Sequence, residues 1–199
     1  MSEKFITERI PYPSGALMKY LFKLPILFYR MGLGPLVGQM FMVMTTTGRK
    51  SGLPRRTAIE FHQYNGRKYV MIGWQDSDWY KNIQANPYIT IQTASGTERV
   101  YARRLTEDAE YAEAWDFAES SPFMQVVMRL TGTSLTRESF LAQKDRFGLM
   151  TFDPTDRPTP PPLENDLAWV WWGIGGLVLA AAALGLLRRR RAGGAPPAG

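Results

Sequence analysis

A short segment between two candidate strands gathers most of the residues that could do chemistry. It covers residues 45–56 and reads TTTGRKSGLPRR, with four cations in one tight turn. Crowded cations repel one another, so the segment predicts a bound anion. Gly48 and Gly52 allow backbone conformations that turn N–H groups toward such an anion, and arginine offers phosphate or carboxylate a planar fork. Taken alone, the segment also fits a solvated basic hairpin turn.

A second segment follows at residues 78–87 and reads DWYKNIQANP. Asp78 is a candidate helix N-cap, and the Asn86-Pro87 pair ends the two helical turns that follow it. Together the two segments resemble the deazaflavin-dependent nitroreductase and quinone reductase family, which carries a TTxGRKSGxxR turn and then a WYxNLxANP helix. The resemblance covers roughly residues 35–105. It implies an α+β fold, a six-stranded split β-barrel of the flavin-reductase and pyridoxamine-phosphate-oxidase type with flanking helices.

The resemblance also implies a function and a set of site residues. The function is transfer of hydride from a reduced deazaflavin, coenzyme factor 420 (an 8-hydroxy-5-deazaflavin), to a quinone, a nitro compound or another apolar acceptor. The catalytic residues stay unassigned, because the coenzyme itself supplies the hydride. The residues assigned to the cofactor are Arg49, Lys50, Ser51, Arg55, Gly73, Trp74, Ser77, Trp79 and Asn82.

The loop at residues 73–78 departs from the family pattern. It is shorter than the loop of many relatives, lacks their lysine and carries Asp76 and Asp78, which would weaken anion binding unless they point away or cap the helix. Two alternatives therefore stay open. One is the same barrel using FMN, and the other is a redox-inactive module that binds a cofactor or lipid at a membrane.

Composition excludes several other classes of function. The chain has no cysteine and one histidine, His62, so disulfides, thiol nucleophiles, iron–sulfur clusters and multi-histidine metal sites are not expected. No metal site is predicted. The formal net charge is +6, but Arg188 to Arg191 supply four of these charges, so the charge balance does not indicate a nucleic-acid partner.

Periodicity divides the chain into strands and helices. Strands are predicted at 41–47, 57–64, 68–73, 88–93, 98–105 and 147–152, with a two-residue turn at Asn65-Gly66. An amphipathic helix is predicted at 14–31, kinked or divided at Pro25, which either packs on the core or lies on a membrane surface. Further helices are predicted at 106–119, 122–132 and 135–144.

The domain prediction follows from these elements. The N-terminal helix region occupies 1–34, the split-barrel cofactor domain 35–152, a Pro-rich linker 153–166, a transmembrane helix 167–187 and a basic then Gly/Ala/Pro-rich tail 188–199. The span of 21 residues without charge predicts single-pass membrane attachment, with the lipid bilayer as a partner. The barrel is expected in the cytoplasm, where the coenzyme is made, although the positive-inside rule favours the opposite orientation. A quinone-like acceptor is expected, and a homodimer is left open.

Overall fold

The computed structural model describes residues 20–72, 75–120, 136–142, 144 and 148–192. Within these ranges the helices are α1 (Leu24–Arg30), α2 (Gly34–Val37), α3 (Asp78–Ala85), α4 (Asp108–Ser120), α5 (Arg137–Ala142) and α6 (Val170–Ala192). The strands are β1 (Phe41–Thr47), β2 (Pro54–Glu60), β3 (His62–Tyr64), β4 (Arg67–Ile72), β5 (Tyr88–Thr93), β6 (Gly96–Arg104) and β7 (Gly148–Pro154).

These strands form one antiparallel sheet in the order β2-β1-β5-β6-β7-β4-β3. β2 and β3 lie at opposite edges of this order, yet only Phe61 separates them along the chain. The sheet must therefore curl until its edges approach each other, which is the closure that defines a small barrel. The predicted strand at 57–64 is in fact two strands that break at Phe61, whose side chain is buried. The curled sheet with flanking helices fits the predicted split-barrel fold.

Alternate residues of the strands fill the inside of the curled sheet. The buried side chains from β1, β4, β5, β6 and β7 are Met42, Met44, Val70, Ile72, Ile89, Ile91, Val100, Ala102 and Met150. Helix α3 adds Tyr80 and Ile83 to the same cluster. Because α3 connects the end of β4 to the start of β5, it lies across one end of the barrel. The turn between β1 and β2 is at that same end.

A second apolar cluster lies on the outer face of β4 and β7. Helices α4 and α5 pack there, and the buried members are Tyr69, Leu105, Tyr111, Ala114, Trp115, Phe140 and Leu149. One sheet thus has a core on each face in this region, which is why residues of both parities on β4 and β7 are apolar.

Local signals predicted several elements correctly. The strands at 41–47 and 88–93 are confirmed at both ends. Asn65 and Gly66 have φ of 48° and 77°, as a primed two-residue hairpin turn requires. Pro25 lies in the first turn of α1, so the division of the N-terminal helix at this proline is also confirmed. Residues 14–19 of that helix, and the whole helix predicted at 122–132, lie outside the described residues.

Tyr29 attaches helix α1 to the barrel. Its hydroxyl lies 3.0 Å from the carbonyl oxygen of Phe41 and 2.9 Å from that of Gln92, on two neighbouring strands. Burial raises the pKa of this hydroxyl to about 12, so it stays a hydrogen-bond donor throughout the physiological range. The predicted apolar stripe of the N-terminal helix contributes less to this attachment, since Tyr20, Leu21 and Leu27 remain exposed.

The Pro-rich segment lies along the outer face of β5 and also contacts Arg56 of β2. We call residues 155–168 the C-terminal strap. The Gln92 amide bonds Leu163 in both directions, at 3.0 Å and 2.7 Å. Thr90 contacts Thr159 and Pro160. At its far end Asp166 forms a two-pronged ion pair with Arg30, at 2.8 Å and 2.6 Å. The strap begins with a backbone bond from Thr155 to Arg99 of β6 and then follows the sheet mainly by side-chain contacts, without adding a strand to it.

The prediction of a transmembrane helix at 167–187 is wrong. Among the residues that the structure describes, none of the helices combines the length and the apolar character that crossing a bilayer requires. The prediction counted uncharged residues, but α6 begins only at Val170, and much of its uncharged stretch is glycine and alanine, which carry little apolar surface. The single-pass membrane localisation inferred from that helix is wrong with it, and the lipid bilayer as a partner has no support.

The role of Tyr29 gives a test of the α1–barrel contact. Tyr29→Phe removes the buried donor and leaves two carbonyl oxygens without it, so we expect a loss of about 1–2 kcal/mol of unfolding free energy. Urea denaturation of the purified chain measures this loss. Tyr20→Phe is the matched control, because Tyr20 is 71% exposed and its replacement should leave the midpoint unchanged. Equal midpoints for both variants would contradict the assigned role.

Candidate cofactor site

The turn between β1 and β2 is held in shape by its own backbone. The Gly48 N–H donates to the carbonyl oxygen of Leu53 at 2.9 Å, and the N–H groups of Ser51 and Gly52 donate to the carbonyl oxygen of Gly48. Gly52 has a φ of 67°, which favours glycine. A Cβ at Gly48 would lie 2.8 Å from the Ser51 hydroxyl oxygen and 3.1 Å from the Leu53 carbonyl oxygen. Both glycines are therefore needed for this turn.

Asn82 of α3 clamps the turn to the barrel end. Its Oδ1 accepts from the Arg49 backbone N–H at 3.2 Å and from Arg49 NH1 at 3.0 Å, while its Nδ2 donates to Thr46 Oγ1 at 3.3 Å. Both Asn82 and Thr46 are buried. One amide side chain thus links the end of β1, the turn and the helix. Asn86 repeats the contact one helical turn later by donating to Thr47.

Arg49 is paired within the protein. Its NH2 lies 2.8 Å from Asp78 Oδ1, and its NH1 donates to the Asp78 carbonyl oxygen at 3.3 Å. The hydrogen bond from Arg49 holds the pKa of the Asp78 carboxyl below its usual value, with help from the charges of Lys81 and Lys50. Asp76, the other acid of the loop, pairs with Lys81 at 2.9 Å. The acidic residues of the 73–78 loop therefore neutralise nearby cations.

Three cations of the turn have no such partner. Arg55 donates to the Ser51 hydroxyl and Arg56 to the carbonyl oxygen of Pro162, both at 3.3 Å. Lys50 is exposed. Within the described part of the chain, no carboxylate forms a salt bridge with any of the three. Lys50, Ser51 and Arg55 thus present two charges and a hydroxyl to solvent at one end of the barrel.

The remaining predicted site residues have different environments. Gly73 and Trp74 lie outside the described residues. Trp79 is half-buried at the edge of the inner core, with its ring 5.8 Å from that of Tyr80 in an edge-on arrangement. Ser77 is buried, and its hydroxyl has no hydrogen-bond partner in the described structure. Ser77, and not Asp78, is the N-cap of α3, which corrects the predicted cap.

The structure also has a cleft elsewhere. It is lined by Arg104, Leu105, Thr106, Tyr111 and Lys144, beside α4. None of these residues belongs to the turn or to α3. We take the turn as the candidate site, because it has the unpaired cations and the clamped backbone that an anionic ligand requires.

The family of this chain follows from the part of it that a family model matches. The model of the F420H(2)-dependent quinone reductase family matches residues 27–136, more than half of the chain. The protein belongs to this family. The resemblance seen in the turn and the following helix is thereby confirmed, and the family is one of oxidoreductases.

The individual members of the F420H(2)-dependent quinone reductase family that match this chain have low sequence identity to it. The F420H(2)-dependent quinone reductases of Mycobacterium tuberculosis strains H37Rv and CDC 1551 are each 27% identical over 86 residues, which is 40% of this chain and 57% of theirs. A solved F420-H2 dependent reductase (FDR-A) is 20% identical and covers 58% of this chain and 95% of its own, with a TM-score of 0.40. The chain thus spans little more than half the length of the two Mycobacterium tuberculosis quinone reductases.

Sequence reasoning about this family member missed the internal pairing of the site. The motifs assigned Arg49 and Asn82 to the cofactor, whereas in the structure they bond to each other and Arg49 also bonds to Asp78. A signal was present, because positions 78 and 82 are four apart and share one face of a helix. The strand contacts of Asn82 could not be read from the motif, since they join residues that are more than thirty positions apart.

The clamp predicts a large effect of one substitution on α3. Asn82→Ala would leave the Arg49 N–H and the Thr46 hydroxyl without their partner in a buried place, so we expect a loss of about 1–3 kcal/mol of unfolding free energy. Thermal or urea unfolding measures it. Gln84→Ala, an exposed position on the same helix, serves as the control and should change stability little. A stable Asn82→Ala protein would mean that the turn holds its position without the amide.

Proposed function

We propose that the protein transfers a hydride from the reduced deazaflavin coenzyme factor 420 to a quinone or a similar apolar acceptor. Membership of the F420H(2)-dependent quinone reductase family supports the class of reaction. The observation that carries the proposal for this chain is the glycine-bounded turn that Asn82 clamps to the barrel end, with Lys50, Ser51 and Arg55 exposed on it.

The donors of the turn fit the chemistry of this coenzyme. Its tail carries a phosphate and carboxylates, which bind best to cations and to hydroxyl or amide donors. Lys50 supplies a point charge, Arg55 a planar fork and Ser51 a hydroxyl that already lies 3.3 Å from Arg55. Gly52 is exposed and has open space where a side chain would be, so a ligand can approach the backbone of the turn closely there.

The other residues of the site have positioning roles in this proposal. Asn82 keeps the turn against α3, so that the cations and the helix keep a constant separation. Trp79, half-buried on α3, offers an aromatic surface at the same end of the barrel. The reduced deazaflavin supplies the hydride, and the quinone becomes a quinol when it takes up this hydride and a proton. No acid–base pair of the protein is required for the hydride step, which agrees with a chain that has a single histidine.

Direct binding tests the proposal. Titration of the purified full chain with the deazaflavin coenzyme should quench the coenzyme fluorescence, with a dissociation constant on the order of tens of micromolar or lower. The reduced coenzyme should then be oxidised in the presence of a quinone. A protein that purifies yellow with a flavin spectrum would favour FMN instead. Tight coenzyme binding without turnover against quinones and nitroaromatics would indicate a redox-inactive binding module.

A double substitution of the two exposed cations tests most directly whether the turn binds the coenzyme. Lys50→Ala combined with Arg55→Ala should weaken coenzyme binding by about 2–4 kcal/mol, because two charge-assisted contacts are lost. Stability should change by less than about 0.5 kcal/mol, because both side chains are on the surface. Lys23→Ala combined with Arg137→Ala removes the same charge from exposed positions on other elements and is the control. Unchanged affinity in the turn variant would exclude the turn as the site of the anionic tail.

A further inference from the structure

One of the two edges of the Arg49 guanidinium group that could bind an anion, the edge formed by its two terminal nitrogens, is already occupied. Its two terminal nitrogens donate to the side chain and the backbone of the same residue, Asp78, at 2.8 Å and 3.3 Å. Asn82 takes a further bond from NH1 at 3.0 Å. An external phosphate or carboxylate can reach this two-nitrogen edge only if the Asp78 carboxylate leaves it.

The Asp78 carboxylate is free to leave. Its side chain is 87% exposed, whereas that of Arg49 is only 27% exposed. Exposed ion pairs contribute little to stability, so the exchange of one carboxylate for another anion costs little. Asp78 is also the first residue of α3, and its backbone stays in place through the helix when the side chain rotates.

Asp78 faces more than one cation of the site. The Arg49 hydrogen bond lowers its pKa most, and the charges of Lys81 and Lys50 act in the same direction. The carboxylate is therefore ionised at neutral pH and neutralises part of the charge that would attract a ligand. Asp76 has one cationic partner, Lys81, and does not contact Arg49 in the described structure.

We propose that Asp78 is an internal competitor for Arg49, whose carboxylate an anionic ligand at the turn must displace in order to bind the two terminal nitrogens of Arg49. The inference rests on the proposed function, because it takes the anionic tail of the coenzyme as the ligand. Asp78 thereby favours ligands with several negative charges. Such a ligand replaces the lost ion pair and also gains contacts with Lys50 and Arg55, whereas a singly charged ligand gains little.

Two isosteric substitutions separate competition from a general change in charge. Asp78→Asn keeps the hydrogen-bond acceptor but removes the charge, and Asp76→Asn removes the same charge two residues away. We expect Asp78→Asn to tighten binding of inorganic phosphate and of the coenzyme about two- to fivefold, the range that an exposed ion pair contributes. Asp76→Asn should change both constants by less than about 1.5-fold, because salt screens exposed charges. Tryptophan fluorescence follows phosphate, and the coenzyme fluorescence follows the coenzyme.

A double-mutant cycle shows whether the effect passes through Arg49. In an Arg49→Ala background, Asp78→Asn should no longer tighten binding. Asp78→Ser is a second variant that also suits the start of a helix, and it should behave like Asp78→Asn. Circular dichroism melting of each variant confirms that it is folded before the titrations are compared.

The outcomes separate this inference from the proposed function. Equal constants for Asp78→Asn and Asp76→Asn, or weaker binding by Asp78→Asn, would overturn the competitor role whatever the coenzyme does. A phosphate effect specific to position 78, with no coenzyme binding by any variant, would support the competitor and overturn the proposed cofactor. Absence of binding of either probe to any variant would overturn both.

Discussion

The antiparallel sheet of this protein closes on itself, because the strands at its two edges are neighbours in the chain. β2 and β3 are separated by Phe61 alone, and the buried ring of Phe61 belongs to the inner core. Closure creates an inside that alternate residues of five strands can fill, and it leaves the barrel ends to be covered. Helix α3 covers one end with Tyr80 and Ile83. The position of the candidate site follows from this, since the β1–β2 turn meets α3 at that end.

The charges of the candidate site also lie where the β1–β2 turn meets α3. The turn carries four cations in a short segment, and the protein neutralises one of them with the first residue of α3. Asp78 takes Arg49, while Lys50, Arg55 and Arg56 are left without a carboxylate among the described residues. A buried amide, Asn82, fixes the distance between the two groups. The less exposed cation, Arg49, is thus paired within the unliganded protein, while the exposed cations of the turn stay available to an anion.

The C-terminal region is attached to the barrel along the outer face of β5. The C-terminal strap is bonded by Gln92, Thr90 and Arg30, and Tyr29 joins α1 to the same strands. These contacts tie α1 and the strap to the central strands of the barrel. A residue such as Gln92, which bonds Leu163 in both directions through its side chain, bridges positions 71 apart in sequence. Beyond the backbone bond from Thr155 to Arg99, contacts of this kind hold the strap to the sheet.

Local chemistry in the sequence determined the strands at 41–47 and 88–93, the Asn65-Gly66 turn, the break at Pro25 and the family, because each depends on neighbouring residues or on a contiguous motif. It also pointed to the turn as an anion site.

The sequence could not determine that the strand at 57–64 divides at Phe61, since barrel closure is a property of the whole sheet. It misjudged 167–187, because a run without charge is not by itself a run with enough apolar surface to span a bilayer. The pairing of Arg49 with Asp78, and the clamp by Asn82, were decided only by tertiary structure: the residues involved are about thirty positions apart, and only the packing of α3 into the end of the closed barrel brings them within hydrogen-bond distance.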